Sequence, residues 1–355
     1  MPETAAVLTL DRFQTSDAKT AHGLVRGPSR FELLAVLDAA CAGRDAGEVL
    51  DGRARGIPVL PDLAALLATG ARPDWCVVGV ATSGGVLPPE LRAPLAAALR
   101  AGIGVVNGLH EVLAEDPELA ALAAASGARI IDLRRPKRRS ELHFWTGAVQ
   151  RVRAPRIALL GTDCALGKRT TSQLLVAALR TRGLRAAMIY TGQTGWLQGA
   201  RFGFVLDATP NDFVSGELEH AIVAADEALQ PDVLVLEGQS ALRNPSGPCG
   251  AELLLSAGAR GVILQHAPAR ECFEDQEHLG HRIPSLASEV ELIRMYGAEV
   301  LAVTLNHEHL DSAAERAAAR ARVESETGRR AYFPLLEPLD PLVERVLQHI
   351  AGERR

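Results

Sequence analysis

The sequence predicts an α/β protein with parallel sheets, divided into two domains. Short β-type apolar runs alternate along the whole chain with longer Ala/Leu-rich helical patterns, which is typical of parallel sheets covered by helices. The length of 355 residues fits two domains of about 150 residues or slightly more. With 47% apolar and 23% charged residues, the chain has the composition of a globular protein that buries sizeable cores.

The first domain is predicted to span residues 1–150. Its candidate strands are Ala6–Leu10, Leu33–Leu37, Trp75–Val80, Gly104–Val106 and Arg129–Leu133. Helical patterns occupy Asp62–Ala68, Pro89–Ala101 and Pro117–Ala125. The glycines of Gly79–Pro88 predict a strand-to-helix turn, because the glycine pattern of a nicotinamide-binding loop is missing. The basic run Arg134–Arg139 predicts a solvated linker rather than a binding patch, and the boundary lies between about 135 and 153.

The second domain is predicted to span residues 151–355. It opens with a strand at Arg156–Leu160 and a helix from Thr170 to Arg182, and it closes with a helix near Pro341–Ile350. The further candidate strands are Ala186–Tyr190, Asp232–Leu236, Gly261–Gln265 and Val300–Leu305, with a short strand-like run at Phe204–Leu206.

The most specific motif is the glycine-bounded loop between the first strand and the first helix of this domain. Strand, glycines, lysine and helix coincide there, and in such a context backbone N–H groups and a helix N-terminus bind phosphate. Lys168 is one of only three lysines among 38 basic residues, and its compact ammonium is expected to bind phosphate oxygens. The residues assigned to a phosphate-bearing ligand are Gly161, Thr162, Asp163, Cys164, Gly167, Lys168, Thr170 and Thr171.

The loop departs from the common P-loop pattern in two ways. Five residues instead of four separate Gly161 from Gly167, and Arg169 stands where a magnesium-binding Ser or Thr usually follows the lysine. Phosphate binding is therefore better supported than ATP hydrolysis. Cys164 is either a small packing residue or, beside a lysine and a helix N-terminus, a thiolate that acts as a covalent nucleophile. A site without a covalent role for Cys164 is the preferred interpretation.

The loop resembles that of dethiobiotin synthetase and related P-loop amidoligases, which also begin Gly-Thr-Asp and carry an extra residue. In that group a glutamate at the end of a later strand holds magnesium, and an asparagine after another strand contacts adenine. The resemblance implies these roles for Glu237, at the end of Val233–Glu237, and for Asn306. Asn306 does not discriminate between ligands, because ATP and coenzyme A both carry adenine.

Over nearly its full length, the chain resembles the D-glutamate N-acetyltransferase family, formerly a domain-of-unknown-function family. The resemblance rests on the blocks Gly79–Pro88, Asn107–Glu111, Gly161–Thr171, Thr191–Gly195, Asp207–Phe213, Glu237–Gln239, Gln265–Arg270 and Asn306–Glu308. It implies a Rossmann-like N-terminal domain, a P-loop NTPase-like C-terminal domain and an enzyme of D-amino acid catabolism that acetylates D-glutamate. The loop would then hold the phosphates of acetyl-CoA. Relatives tend to have His-Pro after Glu-Gly-Gln, where this chain has Arg243-Asn244-Pro245, so no role of that histidine is carried over.

Acetyl transfer to an amine needs a base, donors for the oxyanion and cations for the substrate carboxylates. The candidates for the chemistry are Glu237, His266 and Asp212, and those for substrate binding are Asp207, Gln239 and Arg270. Five of them also have a structural interpretation: a solvent-exposed strand end for Glu237, turn capping for the two aspartates, hydrogen bonding for His266 and surface exposure for Arg270.

Two other functions stay open. One is an ATP- and magnesium-dependent carboxylate-activating ligase or NTPase of the dethiobiotin synthetase type, in which Glu237 would be a metal ligand. The other is a regulator that binds a nucleotide or coenzyme A without catalysis.

The overall charge and the cysteine pattern limit the classes of partner that we expect for this chain. A net charge of −5 and a pI near 6.1 argue against nucleic acid and anionic membranes as partners. The five cysteines form no disulfide or zinc pattern, and no apolar run reaches the roughly 18 residues of a membrane span. We expect a cytoplasmic homo-oligomer whose partner is a small-molecule amino acid substrate.

Overall fold

Two parallel sheets form the framework of the protein, as the alternating pattern predicts. The computed structural model describes residues 2–82 and 85–353. In this part of the chain, every pairing between the strands named below is parallel. The predicted α/β class with two parallel-sheet units is confirmed. No helix in the described ranges is both long and apolar enough to cross a membrane.

The first compact unit is a six-stranded sheet flanked by helices. Its strands are β1 Thr4–Leu8, β2 Glu32–Leu37, β3 Val59–Leu60, β4 Trp75–Val78, β5 Gly104–Asn107 and β6 Ile130–Asp132. Its helices are α1 Lys19–Arg26, α2 Ala46–Asp51, α3 Leu63–Ala68, α4 Pro89–Arg100 and α5 Pro117–Ser126. The strand order β3-β2-β1-β4-β5-β6 is that of a doubly wound Rossmann-like sheet.

Local sequence explains where several of these elements begin and end. β1 ends two residues earlier than predicted, because Leu10 and Asp11 adopt positive φ angles of 50° and 58°, which a strand does not accommodate. α5 begins after Asp116, whose carboxylate accepts two N–H groups of the first turn, and it ends before Gly127, which has a left-handed conformation. Ser83 and Gly84, inside the predicted Gly79–Pro88 turn, lie outside the described residues.

The second compact unit is a seven-stranded sheet, also flanked by helices. Its strands are β7 Arg156–Gly161, β8 Ala186–Tyr190, β9 Phe202–Gly203, β10 Val233–Glu237, β11 Gly261–His266, β12 Glu299–Leu305 and β13 Ala331–Tyr332. Its helices are α6 Lys168–Thr181, α8 Asn211–Leu229, α9 Ala251–Leu255, α10 Leu286–Met295, α11 Ala313–Thr327 and α12 Asp340–Glu353. The strand order is β13-β12-β11-β7-β10-β8-β9, which puts β7 in the middle.

The central strand of the second sheet, β7, packs within the hydrophobic core of the second unit. Ile157 and Leu159 of β7 are fully buried and belong to one cluster with Leu175 and Leu179 of α6 and with Val346 of α12. A strand buried in this way reads as a continuous apolar run, which is why it was predicted so closely.

The division of the chain into compact units differs from a single cut at residue 150. The first unit takes the chain up to Arg138 and also residues 192–201 and 205–209, and the second unit takes the rest from Arg139 onwards. Residues 143–149 belong to the second unit because Glu217 and Glu219 of α8 accept hydrogen bonds from their backbone. The helix α7, Gln193–Leu197, packs its Leu197 into a core of the first unit.

The strand-like run predicted at Phe204–Leu206 is wrong. β9 is instead the two-residue strand Phe202–Gly203, and a single turn of 3-10 helix follows at Leu206–Ala208. Three consecutive apolar residues do not distinguish a strand from a short helical turn, since both need only a few buried side chains.

Candidate phosphate site in the second unit

The glycine-bounded loop follows the end of β7, the central strand of the second sheet. It connects Gly161, the last residue of β7, to Lys168, the first residue of α6, so the predicted strand–loop–helix arrangement is present. The register pairs Leu159 of β7 with Glu237 of β10, and Gly161 with Gln265 of β11. Because parallel strands end at the same edge of a sheet, the ends of β10 and β11 flank the loop.

The backbone of the loop is arranged to receive an anion. Gly167 is the N-cap of α6 with a φ of 95°, a conformation that favours glycine, and it has no side chain to cap the helix. The first intrahelical hydrogen bond runs from the Thr171 N–H to the Gly167 carbonyl. The N–H groups of residues 168–170 therefore have no acceptor within the helix, and they lie where the positive end of the helix dipole attracts phosphate.

Lys168 lies folded across the loop. Its Nζ donates to the carbonyl oxygen of Asp163 at 2.5 Å and to that of Ser240 at 2.8 Å. A Cβ on Gly161 would lie 2.9 Å from Cδ and 3.0 Å from Nζ of this lysine, so glycine at this position leaves room for the folded side chain. Burial lowers the pKa of Lys168, and the two carbonyl acceptors partly replace the lost water. The third N–H of the ammonium is the one that a phosphate oxygen can take without breaking either bond.

Two further charged residues lie beside the loop, the half-buried Arg169 and the buried Glu237. The Nε of Arg169 is buried and has no hydrogen-bond partner within residues 2–82 and 85–353. Burial lowers the pKa of Arg169, and the negative charge of Glu237 opposes this shift. Glu237 is 3% exposed, and its Oε2 accepts the Thr191 N–H at 3.1 Å, while the Thr191 hydroxyl donates to the Glu237 carbonyl.

Asp163 holds the loop together from inside. It is completely buried, and its carboxylate accepts Nδ2 of Asn244 at 3.0 Å, the N–H of Glu274 at 2.7 Å and NH1 of Arg270 at 2.9 Å. Arg270 also pairs with Glu274 at 2.5 Å and with Glu308 at 2.7 Å. To bind a substrate carboxylate, Arg270 has to exchange one of these partners. Its assignment as a carboxylate clamp stays a prediction.

His266 lies at the end of β11, as predicted, and contacts the loop. Its Nδ1 is 2.9 Å from the hydroxyl of Thr162, so one of the two atoms donates to the other. Burial lowers the pKa of His266 to about 4, and the positive charges of Arg322 and Arg270 add to the effect. The imidazole is therefore neutral at neutral pH. It borders a polar cavity of about 240 Å³, which Arg270 and Glu326 also line.

The two loop threonines have different environments. The hydroxyl of Thr171 is buried and donates to Oε1 of Gln265 at 2.7 Å, and the hydroxyl of Thr304 donates to the same oxygen. Thr171 is thus committed to the sheet beneath α6. Thr170, one position earlier on the helix, is half-buried.

Cys164 of the loop and Asn306 after β12 both contact neighbouring residues of the second unit. Sγ of Cys164 lies 3.5 Å from Oγ of Ser240 and 3.8 Å from Nδ2 of Asn244. Asn306 directly follows β12, as predicted; its backbone N–H donates to the His266 carbonyl, and its side chain bonds Glu308. The assignments of both residues to a bound ligand stay predictions.

The remaining predicted site residues are Asp207, Asp212 and Gln239. Asp207 belongs to the first unit, where Arg134 holds its Oδ2 through two nitrogens at 3.0 and 2.9 Å and His110 Nε2 lies 3.8 Å away. Asp212 belongs to the second unit and is exposed in the first turn of α8. Gln239 follows the end of β10 and is half-buried.

Sequence reasoning missed three residues that shape the site. Ser240 supplies a carbonyl to Lys168, Asn244 bonds Asp163, and Gln276 donates to Oδ1 of Asn244 at 3.0 Å. Asn244 stands in the block that departs from the relatives, which was the one available signal for it. Its contact with a loop 81 residues away is not readable from spacing.

Metal ligands are scarce around the loop. No group of three or more His, Cys, Asp or Glu side chains suited to a metal ion occurs in the part of the chain that the structure describes. The predicted metal role of Glu237 depends on the NTPase alternative and stays a prediction.

Comparison with known protein families identifies both units. A family model described as a domain of unknown function, DUF1611_C P-loop domain, matches residues 143–343. A second one, described as a domain of unknown function, DUF1611_N Rossmann-like domain, matches residues 39–136. A solved DUF1611 family protein from Anabaena variabilis ATCC 29413 is 30% identical, with a TM-score of 0.88 over 98% of this chain and 99% of that one.

Two curated relatives carry a functional name. The D-glutamate N-acetyltransferase of Tritonibacter scottomollicae is 35% identical over 205 residues, which are 57% of this chain and 58% of the relative. The D-glutamate N-acetyltransferase of Pseudoalteromonas sp is 30% identical over 223 residues, which are 61% of this chain and 62% of the relative. Both alignments thus span less than two thirds of the relative.

Proposed function

This chain belongs to the DUF1611 family, and on this premise we propose that it is an N-acetyltransferase that transfers the acetyl group of acetyl-CoA to the amino group of D-glutamate. The substrate is taken from the two relatives that are named D-glutamate N-acetyltransferase. The observation that carries the proposal is the pair of adjacent cations, Lys168 and Arg169, at the uncapped start of α6. This arrangement favours a phosphate-bearing ligand that is held but not cleaved.

The loop residues fit the phosphates of coenzyme A. The N–H groups of residues 168–170 and the ammonium of Lys168 would bind the diphosphate oxygens, and the unpartnered Nε of Arg169 is a further donor. When bound, acetyl-CoA supplies a thioester that is activated towards an amine. The protein has to hold that group in place and to accept a proton from the substrate ammonium.

His266 is the candidate for the proton acceptor among the residues near the loop. Its imidazole is neutral at pH 7, because its pKa is lowered to about 4. The negative charges of bound phosphates and substrate carboxylates would raise this pKa towards the range in which a histidine is an effective base. The hydroxyl of Thr162 fixes the orientation of the ring at Nδ1. Glu237 and Asp212 remain alternative candidates for this role.

An ATP- and magnesium-dependent ligase is the competing function. It requires a hydroxyl and a carboxylate to hold the metal beside the phosphates. Glu237 is at the right strand end, but Arg169 occupies the usual position of the hydroxyl and Thr171 is bonded to Gln265. The acetyltransferase therefore has the better support.

Steady-state assays with the full chain separate the two functions. Purified protein is incubated with acetyl-CoA and a panel of D-glutamate, L-glutamate, D-aspartate and D-alanine, and free thiol is followed over time. We expect thiol release with D-glutamate and an N-acetylated product by mass spectrometry, without any requirement for ATP. Formation of ADP from ATP that depends on an acid substrate, with no thiol release from acetyl-CoA, would establish the ligase instead.

A further inference from the structure

P-loop NTPases pair their lysine with a divalent cation. The hydroxyl of the Ser or Thr after the lysine and an acidic residue on a neighbouring strand hold Mg²⁺, which neutralises the phosphate oxygens. In this chain the residue after Lys168 is Arg169, so the first of the two metal ligands is replaced by a cation.

The threonines that follow do not restore the missing hydroxyl. Thr171 donates to Gln265 Oε1 at 2.7 Å and is 3% exposed, so its oxygen is committed to the interior of the second unit. Thr170 is one residue beyond the metal-binding position, and one residue turns a side chain by about 100° around the helix axis. The residues of this loop therefore do not fit a magnesium site of the usual kind.

The acidic residue of such a metal site is retained as Glu237, and its negative charge acts on Arg169. Glu237 is buried at the end of β10, paired in register with Leu159 of the loop strand, and accepts the Thr191 N–H. Arg169 is half-buried, and its buried Nε has no hydrogen-bond partner in the described ranges 2–82 and 85–353. A buried donor without a partner is unfavourable, and this cost is removed when an acceptor binds to it.

We propose that the guanidinium of Arg169, with the carboxylate of Glu237 beside it, takes the place of Mg²⁺ and makes the phosphate site independent of divalent metal. A guanidinium presents a planar set of donors that can bond two phosphate oxygens at once, whereas a lysine acts as a point charge. The negative charge of Glu237 opposes the lowering of the Arg169 pKa by burial. The inference rests on the proposed function in taking the bound diphosphate to be that of coenzyme A.

Calorimetric titration of the full chain tests this role. Coenzyme A and ADP are titrated separately, each once in the presence of EDTA and once with excess Mg²⁺. We expect the wild-type dissociation constant to change less than about twofold between EDTA and Mg²⁺, which is under about 0.5 kcal/mol. Arg169→Thr restores the usual hydroxyl and should bind about tenfold or more weakly in EDTA, with much of the loss recovered by Mg²⁺. Arg169→Thr combined with Glu237→Gln should not recover.

The control variants test whether the effect belongs to the site. Arg182→Thr removes an exposed arginine at the other end of α6, which pairs with Asp340 and Glu344, and should bind as wild type does under both conditions. Arg169→Lys keeps the charge but not the planar donor set. It should bind more weakly than wild type while remaining insensitive to Mg²⁺.

Several results would overturn the inference. Loss of wild-type binding in EDTA would show that a metal is needed, whether or not any variant folds. Unchanged affinity of Arg169→Thr in EDTA, or no recovery with Mg²⁺ in a variant that melts as wild type does, would show that Arg169 does not replace a metal. The proposed function fails separately: if ADP binds without metal but coenzyme A does not bind, the metal substitution stands and the acetyltransferase falls.

Discussion

At the scale of single residues, Lys168 has the most constrained environment in the loop. Its ammonium donates to two carbonyl groups, and its side chain lies against Gly161, where even a Cβ would come within 3.0 Å. There is room for the narrow ammonium and for little more. The same contacts that position the charge exclude a wider side chain.

Lys168→Ala should weaken binding of coenzyme A by about tenfold or more, because a charge-assisted bond to phosphate is worth about 1.5–3 kcal/mol. Lys168→Arg should fail as well, since a guanidinium does not fit between Gly161 and the two carbonyls. The measurement is calorimetric titration with coenzyme A. Lys19→Ala, which removes an exposed lysine of α1, is the matched control and should bind normally. Normal affinity of Lys168→Ala would contradict the phosphate assignment.

His266 makes the stability of the protein depend on pH. Its pKa falls from the ordinary value of 6.5 to about 4 in the folded chain, chiefly because of burial. Between these two values the unfolded state binds more protons than the folded state, so the free energy of unfolding rises with pH. The stabilisation is fully present above about pH 6.5 and is lost as the pH falls towards 4.

Urea denaturation at pH 7.5 and pH 5 measures this contribution. The wild-type chain should lose more free energy of unfolding between these values than His266→Gln, which has no titratable group at this position. The difference is bounded by about 2 kcal/mol, since only the interval from about pH 6.5 to pH 5 contributes and one pH unit corresponds to about 1.4 kcal/mol. Comparing the two chains cancels the contribution of the other titrating groups. An equal pH dependence in both would mean that His266 titrates normally in the folded chain.

At the scale of elements, the position of the loop depends on how closely the end of β10 approaches β7. Gly238 directly follows β10, and a Cβ at this position would lie 2.0 Å from the carbonyl oxygen of Leu159. Only a residue without a side chain allows the end of β10 to pass so close to the loop strand. The glycine after Glu237 is therefore explained by packing between two neighbouring strands.

Gly238→Ala should lower the free energy of unfolding by about 1–3 kcal/mol, because backbone of β7 has to move to accept the methyl group. It should also weaken binding of coenzyme A, since β7 carries the loop. Denaturation and titration of the same sample measure both effects. Gly352→Ala in α12 is the matched control: no atom lies within 4 Å of its added Cβ, and the change should be neutral or slightly stabilising. A neutral Gly238→Ala would mean that the strands tolerate a wider separation.

At the scale of the whole molecule, the chain does not divide into two consecutive domains. After β8 it contributes α7 to the first unit before β9 continues the second sheet. Trp196 of α7 lies under the guanidinium of Arg30, 4.1 Å from its carbon to the ring centre, and the Trp196 carbonyl accepts Nε of the same arginine. These contacts attach the segment to the first unit.

Trp196→Ala should destabilise the first unit, because it removes the packing partner of Arg30 and of the ring of Phe31. We expect a loss of roughly 2 kcal/mol, less than for a fully buried tryptophan. Hydrogen exchange by mass spectrometry should show faster exchange in β1 and β2, whereas peptides from β7 keep their protection. Trp145→Ala, which alters a half-exposed tryptophan of the second unit, should leave β1 and β2 unaffected. Faster exchange confined to β7 would refute the attachment.

Buried strands were the elements most readable from the sequence. β8 was predicted residue for residue, and the other predicted strands that the structure contains lie within two residues of their positions. Central parallel strands are apolar on both faces, so they are recognised in the sequence as continuous runs of apolar residues. Helices α8, α10 and α11 were not predicted, because their polar outer faces and glycine or serine residues dilute the helical pattern.

The amino-acid sequence by itself determined the α/β class, the parallel sheets and the glycine-bounded loop between β7 and α6, because these depend on short-range patterns: apolar runs, glycines and one lysine at the start of a helix. Only the tertiary structure decided what surrounds the loop. It showed that Asp163 and Arg270 bond each other, that Thr171 is committed to Gln265, and that Asp207 belongs to the first unit. Contacts between residues far apart in the chain depend on which strand ends adjoin, and strand order is a property of the packed sheet rather than of local sequence.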